Sequence, residues 1–173
     1  MLYDAQQLNI IKEELVKRKK TLAVAESVTS GFLQAAFSSA NEASRFFQGG
    51  LTAYNAGQKS RHLNIEPIYA LESNCISESV TEAMAIEISK LFLSHIGIGI
   101  TGYAAPVPEL DVHQVYAYYS ISFEGRTVAT KKITSHKTDS VDVQLDYTNQ
   151  VVAAVAQCIK RLPYSAESVT VHP

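Results

Sequence analysis

The chain has 173 residues, the usual size of one domain, and a chain of this length can bury roughly 70% of its unfolded surface. It is 46% hydrophobic and 18% charged, which excludes the composition of a disordered chain. The 15 basic and 17 acidic side chains give a formal charge of −2, so the chain as a whole has no attraction for nucleic acid or anionic lipid.

The cysteines and histidines argue against a disulfide scaffold and a structural metal. Cys75 and Cys158 are far apart and form no C-x-x-C pair, which fits a reducing cytoplasm. The five histidines are scattered, and none has a second His or Cys at helical spacing. Charges interrupt the apolar residues of the first 20 positions, so we expect neither a signal peptide nor a membrane span. We expect a cytoplasmic protein without metal or cofactor.

The first predicted elements are a helix, a strand and a second helix. Asp4 can cap the first helix, and the run 21–25 is a short strand. A Ser/Thr/Gly-rich turn at 27–31 separates this strand from a helical stretch at 32–37. The apolar stripe of the first helix is Leu8, Ile11 and Leu15.

A second strand and two further helices follow. Residues 50–54 are predicted as a strand, and Asn55 can cap a helix over 56–63. Ser77 or Ser79 starts the next helix, which ends before His95. The apolar stripe of that helix is Val80, Met84, Ile88 and Leu91.

The second half predicts a central strand, a hairpin and a long helix. Isoleucines alternate with glycines at 96–100, so one strand face is apolar and the other allows close approach. The strands at 115–123 and 126–134 are joined by Glu124-Gly125, too short a link for anything but a hairpin. Asp139 can cap the last helix, which Pro163 ends. Its predicted stripe is Leu145, Val152, Val155, Ile159 and Leu162.

These elements define the fold class. Helices alternate with strands and one hairpin is antiparallel, so we predict a three-layer α/β/α sandwich with a mixed, mostly parallel sheet. We assign residues 1–163 to a single domain and 164–173 to a frayed tail.

Three segments bring reactive groups to the carboxyl ends of strands, where ligands of α/β proteins collect. The turn after the first strand carries Ser27, a candidate nucleophile beside backbone N–H groups, although a serine or threonine in such a turn is more often a simple helix cap. Tyr54 ends the second strand, and Lys59 lies near the start of a helix, where the positive field lowers a lysine pKa. The alternative is a solvated lysine beside a half-buried tyrosine. The glycines at 99–102 can admit a substrate or simply pack against a helix.

Together the segments resemble the C-terminal domain of the competence/damage-inducible CinA proteins, a family whose stand-alone members include nicotinamide mononucleotide deamidases. AESVTSG at 25–31 resembles the family's AESCTGG, and LTAYNAGQK at 51–59 resembles its strand and T-Y-x-N-E-x-K segment. Residues 76–80 resemble its V-S-E-E-V helix start, and the similarity covers roughly residues 5–162. The resemblance implies that Ser27 is the nucleophile and that Tyr54 and Lys59 activate it.

The resemblance also implies where the substrate is held. Donors near 29–31 are expected to bind the oxyanion, and all three segments are expected to contact the substrate. The expected substrate-binding residues are Glu26, Thr29, Ser30, Gly31, Asn55, Gly99, Thr101 and Gly102.

The chain departs from the family pattern at three places. Val28 stands where the family has Cys, and Ser30 replaces the first of two glycines. The family has a loop with G-P-x-G-G followed by E-K-P-V-G, whereas residues 103–113 here read YAAPVPELDVH. A flexible loop that can offer amides and a cation to a phosphate has become bulky and locally acidic.

The leading interpretation is therefore an amidohydrolase that deamidates nicotinamide mononucleotide or a related carboxamide nucleotide with Ser27, Lys59 and Tyr54. The alternative is a divergent CinA-like module that binds a ligand or a protein and has weak or no deamidase activity. DNA handling ranks last, because the basic run at 17–20 has no interleaved aromatic residues. The expected partners are a small nucleotide and further copies of the chain, without nucleic acid or membrane.

Overall fold

The computed structural model describes residues 2–163, apart from the side chains of residues 69, 70 and 72. The predicted tail at 164–173 lies outside the described residues. In chain order the elements are α1 (Ala5–Arg18), β1 (Leu22–Glu26), α2 (Phe32–Ser38), β2 (Phe47–Thr52), α3 (Ala56–Leu63), α4 (Pro67–Glu72), α5 (Glu78–Leu91), β3 (Ile96–Gly102), β4 (Tyr116–Phe123), β5 (Arg126–Thr134) and α6 (Ser140–Arg161).

The five strands form one mixed sheet in the order β2-β1-β3-β4-β5. β1 pairs in parallel with β2 and β3, whereas β4 is antiparallel to both β3 and β5. The predicted hairpin is therefore confirmed. The carboxyl ends of β1, β2 and β3 meet at one edge of the sheet, which brings the segments that follow them together.

Helices cover both faces of the sheet, as the predicted three-layer α/β/α sandwich requires. Leu22 and Val24 of β1 share one apolar core with residues of α1, α2 and α6. Ala23 and Ala25 of the same strand face the opposite side, where the core includes Leu63 of α3 and residues of α5. Alternation along β1 thus separates the two helical layers.

Four helix starts carry the predicted side-chain caps. Asp4 accepts hydrogen bonds from the backbone of α1, Asn55 from that of α3, and Asp139 from that of α6. Of the two serines considered for α5, Ser77 is the cap, and its Oγ accepts from Val80 N at 3.2 Å. Each cap satisfies an amide that the helix itself leaves unpaired.

Several details differ from the sequence expectation, among them Leu91 of the predicted α5 stripe, which is 55% exposed. β2 begins at Phe47, not at residue 50, because its pairing with β1 starts at Leu22 and Phe47. The six-residue helix α4 was not predicted, since it is too short to show an apolar period. In α6, Val143 and Tyr147 are fully buried and Leu145 is only half-buried, so the stripe is rotated by part of a turn.

Within residues 2–163, no helix is long and apolar enough to cross a membrane. The part of the chain that the structure describes also has no group of three or more His, Cys, Asp or Glu side chains placed to hold a metal ion.

Candidate active site

The structure brings Ser27 and Lys59 into contact at the carboxyl end of the parallel strands. Ser27 follows β1 directly, and Lys59 projects from the first half of α3. The Nζ atom of Lys59 donates to Ser27 Oγ at 3.1 Å and to the carbonyl oxygen of Ala53 at 2.9 Å. These two groups lie 32 residues apart in sequence, so the contact exists only because α3 folds back over the end of β1.

Lys59 is almost completely buried, with 1% of its surface exposed. Burial lowers the pKa of its ammonium group, because the charged form loses hydration, and the Cys75 thiol nearby partly opposes that shift. The solvated lysine considered from the sequence is therefore not what the chain forms. Lysine is rarely buried without a partner, and Lys59 has the two partners named above. A lysine in this setting reaches its neutral, proton-accepting form at lower pH than a lysine in water.

A buried carboxylate holds the turn that carries Ser27. Glu26 has no exposed surface, and its two oxygens accept four hydrogen bonds. The donors are the Thr29 hydroxyl, the backbone N–H groups of Leu33 and Gln34, and the Gln34 side chain. Glu26 and Thr29 therefore lie inside the protein, tying the turn to the first turn of α2 and away from the pocket surface.

The outer side of the same turn is held from α6. Gln144 donates to the carbonyl oxygen of Val28 at 2.8 Å and to Ser30 Oγ at 3.3 Å. Ser30 adopts a left-handed backbone with φ of 49°, and Gly31 follows at 105°. That conformation costs a non-glycine residue about 1 kcal/mol, which explains physically why glycine suits position 30.

An open cavity of about 760 Å³ surrounds the Ser27–Lys59 pair. Its walls come from the turn after β1, the start of α3, the α4–α5 connection, the end of β3 with the loop beyond it, and the start of α6. A second cavity of about 440 Å³ lies at the opposite end of β3, against His95 and Ile96, and contains neither member of the pair.

The remaining predicted site residues fall into two groups. Tyr54 is 73% exposed on the cavity wall, where Asn55 and Gly102 also lie. Thr101 reaches the cavity too, and its hydroxyl donates to the carbonyl oxygen of Cys75 at 3.0 Å. Gly99, in contrast, faces α5. The structure thus unites Ser27, Lys59, Tyr54, Asn55, Thr101 and Gly102 in one cavity. Five other predicted site residues are not among its lining residues: Glu26, Thr29, Ser30, Gly31 and Gly99.

Sequence reasoning missed four polar side chains of the cavity wall. Asn74 and Cys75 precede α5, while Ser140 and Gln144 belong to the start of α6. Asp139, the α6 cap, was the one signal that could have drawn attention to Ser140 and Gln144, because helix starts at this edge of the sheet face the ligand site.

Fold and site together define a class of protein: a three-layer α/β sandwich with a buried serine–lysine pair in an open cavity at the strand ends. The sequence profile of the CinA C-terminal domain matches residues 4–159, and the chain belongs to this family.

Individual relatives agree with that assignment. A putative competence-damage inducible protein of Streptococcus pneumoniae is 37% identical over 107 residues, covering 62% of this chain and 25% of that protein. A CinA-like protein of Prochlorococcus marinus is 38% identical over 57% of this chain and 23% of its own length. The matched region thus spans about a quarter of the length of these curated relatives.

Solved structures share the fold. The crystal structure of the competence damage-inducible protein A from Klebsiella pneumoniae superposes with a TM-score of 0.86, covering 92% of this chain and 98% of that one at 22% identity. A competence/damage inducible protein from Agrobacterium tumefaciens superposes with a TM-score of 0.80 at 13% identity, covering 91% and 98% of the two chains.

Proposed function

We propose that this protein is an amidohydrolase in which Ser27 is the nucleophile and Lys59 the base. The observation that carries the proposal is the 3.1 Å contact between Lys59 Nζ and Ser27 Oγ, formed by a buried lysine at the wall of a cavity. A nucleophile within hydrogen-bond reach of a base of suitable pKa is the arrangement that activates a hydroxyl.

The proposed reaction has two stages. The neutral amine of Lys59 takes the Ser27 hydroxyl proton while Oγ attacks the carboxamide carbon. The proposed oxyanion donors are backbone N–H groups of the 29–31 turn other than that of Ser30, which donates to the Ser27 carbonyl oxygen at 3.1 Å. The Lys59 ammonium then gives its proton to the departing nitrogen, so ammonia leaves and an ester with Ser27 remains. Water hydrolyses that ester with Lys59 again as the base, which releases a carboxylic acid and restores the serine.

Tyr54 has a peripheral place in this mechanism. Its side chain is 73% exposed, and it lines the cavity without a described hydrogen bond to Ser27 or Lys59. We assign it to contact with the substrate.

Nicotinamide mononucleotide, or a related carboxamide nucleotide, is the substrate that family resemblance suggests. The decisive experiment is ammonia release from the purified protein offered this compound beside other carboxamide nucleotides, with Ser27→Ala as the control. Release that requires Ser27 supports the proposal. Absence of release from every carboxamide, with the protein folded, contradicts it.

A binding module without turnover is the second candidate, and the 103–113 loop favours it. This loop forms a small turn closed by the Val107–Val112 bridge and exposes Glu109 and Asp111. The residues of this loop that line the cavity offer a nucleotide phosphate no cation.

We also propose that the protein is cytoplasmic and that it associates with further copies of itself. Cys75 and Cys158 are both free thiols, which fits a reducing compartment.

A further inference from the structure

Tyr103 is a rigidly held aromatic residue in the cavity wall. Its backbone N–H donates to Tyr116 O at 2.8 Å, and its carbonyl oxygen accepts from the Tyr147 hydroxyl at 3.2 Å. Its own hydroxyl accepts from Asn74 Nδ2 at 3.0 Å. The ring packs edge to face against Tyr116, with 5.5 Å between the centroids. A side chain fixed at both ends loses little further freedom when a ligand packs on it.

The rest of the cavity wall is polar but nearly without charge. Among the described lining residues, Lys59 alone is charged, and its Nζ points inward to Ala53 O and Ser27 Oγ. The other polar groups are hydroxyls and carboxamides, including those of Asn74, Ser140 and Gln144. Such groups satisfy the hydrogen bonds of an uncharged ligand and do little to neutralise a phosphate.

The segment that begins at Tyr103 also contributes no cation to the cavity wall. Tyr103, Ala104, Ala105 and Val107 all line the cavity. The acidic side chains of the same loop, Glu109 and Asp111, are exposed and do not line the cavity. A phosphate held by this wall would lose hydration without gaining an opposite charge, which is unfavourable.

We propose that Tyr103 determines the substrate specificity of the cavity, and that the cavity takes a planar ring carboxamide without a phosphate group. This inference rests on the proposed amide hydrolysis and narrows its substrate class. The ring lies against Tyr103 while the carboxamide reaches Ser27. A tyrosine ring favours an electron-poor or cationic ring such as a pyridinium, because the aromatic face is electron-rich.

The test compares two probes that differ only in the phosphate: nicotinamide riboside and nicotinamide mononucleotide. Ammonia release gives kcat and KM for each, and calorimetry with the Ser27→Ala protein gives binding without turnover. We expect kcat/KM for the riboside to exceed that for the nucleotide by about tenfold or more, because the nucleotide must desolvate its phosphate. This comparison uses the unmodified protein and needs no change at Tyr103.

Variants then test the role of the ring. Tyr103→Leu is expected to raise the KM for the riboside about tenfold with little change in kcat, because stacking acts on ground and transition states alike. Tyr103→Phe keeps the ring, so this variant is expected to retain most of the affinity of the unmodified protein for the riboside. Tyr118→Leu is the matched control, since Tyr118 belongs to the same aromatic cluster through Tyr116 but does not line the cavity.

The outcomes separate this inference from the proposed function. Riboside binding that depends on Tyr103 and exceeds nucleotide binding, without ammonia release by the unmodified protein, supports Tyr103 as the ring-binding residue of the cavity and contradicts amide hydrolysis. Ammonia release that favours the nucleotide, or that is indifferent to Tyr103→Leu, overturns the inference and leaves amide hydrolysis standing. A folded protein that binds neither probe overturns both.

Discussion

At the scale of single residues, the burial of Lys59 is the most informative feature of the site. A lysine with 1% exposure has lost nearly all its hydration, and its ammonium group has only the Ala53 carbonyl and the Ser27 hydroxyl as described hydrogen-bond partners. Neither is a carboxylate, so the charged form gains no ion pair to offset desolvation. The arrangement costs fold stability but favours the neutral amine, and the neutral amine is the form that a general base requires.

Removing either member of the pair should abolish most of the activity. We expect Ser27→Ala and Lys59→Met each to lower kcat by at least about a thousandfold, and the double variant to lose little more, because residues that act in one step are not additive. Steady-state ammonia release measures this. Lys90→Met is the control, since Lys90 is an exposed lysine of α5 paired with Glu87. Losses that multiply in the double variant would contradict a shared proton transfer.

The pH dependence of the reaction should follow the protonation of Lys59. Burial lowers the pKa of this amine, so its neutral fraction grows at lower pH than for a solvated lysine, and kcat/KM should rise with pH to a plateau above the lowered pKa. The profile from about pH 6 to pH 10 checks this, with circular dichroism to show that the chain stays folded. A rate that falls through neutral pH would instead indicate a required acid.

Individual site residues were predictable from the sequence to the extent that their signals are local. Ser27 and Lys59 were considered because each sits at a strand end or helix start, but the family resemblance was needed to choose a catalytic role for them. The structure brings the two side chains into contact. Glu26 was predicted to contact the substrate, whereas its carboxylate accepts four hydrogen bonds from the predicted turn and the start of the helix after it. The sequence predicted both elements but not that they fold around this side chain. Tyr54 was considered half-buried and is mostly exposed, since β2 ends at Thr52.

At the scale of elements, the contact between β3 and α5 shapes the inner wall of the site. The glycines of β3 bring the strand against the helix backbone, and a Cβ at Gly99 would lie 2.8 Å from Ala85 N and still closer to Thr81 O. The isoleucines of β3 fill the opposite core. The Ile–Gly alternation predicted this two-sided strand, but it left open whether a helix or a ligand approached the glycines. In the structure, it is the helix α5 that approaches these glycines.

Adding one methyl group at Gly99 should therefore destabilise the fold. The neighbouring atoms belong to the α5 backbone and cannot rotate away, so we expect Gly99→Ala to lower the free energy of unfolding by about 2–3 kcal/mol. Urea denaturation measures this. Gly57→Ala is the matched control: its Cβ would meet Asn55 Oδ1 at an ordinary 3.4 Å, and alanine favours a helix by about 1 kcal/mol. Equal stability of the two variants would contradict close β3–α5 packing.

At the scale of the whole molecule, the cavity is assembled from nearly the full length of the chain. Gln144 reaches Val28 across 116 residues, and Asn74 reaches Tyr103 across 29. Caps and apolar stripes are local patterns, which is why α3, α5 and α6 could be predicted with their N-caps. Contacts between distant segments leave no such pattern. Asn74, Ser140 and Gln144 were for that reason not predicted as parts of the cavity wall, although the position of the cavity at the strand ends was predicted.

At this scale we expect the 103–113 loop to decide the substrate, because this loop differs most from the family pattern. Catalysis uses binding energy from the ribose and phosphate to orient the amide, so a loop that does not hold a phosphate lowers turnover as well as affinity. With Tyr103, Ala104 and Ala105 in that wall, the unmodified protein should be a poor nicotinamide mononucleotide deamidase even though Ser27 and Lys59 are in contact.

Replacing residues 103–113 with a glycine-rich, lysine-bearing loop should therefore raise kcat/KM for nicotinamide mononucleotide, by about tenfold or more, because a cation then meets the phosphate. Val28→Cys, the reversion in the turn beside Ser27, should change it less, because Val28 is a 5% exposed side chain that offers no group to a phosphate. Thermal denaturation checks that the graft folds, and labelling with a serine-reactive phosphonate checks that Ser27 keeps its reactivity. Efficient hydrolysis of the nucleotide by the unmodified protein would contradict this account of the loop. So would a folded graft with a reactive Ser27 and unchanged kinetics, because the phosphate would then be held by a part of the wall that the loop does not form.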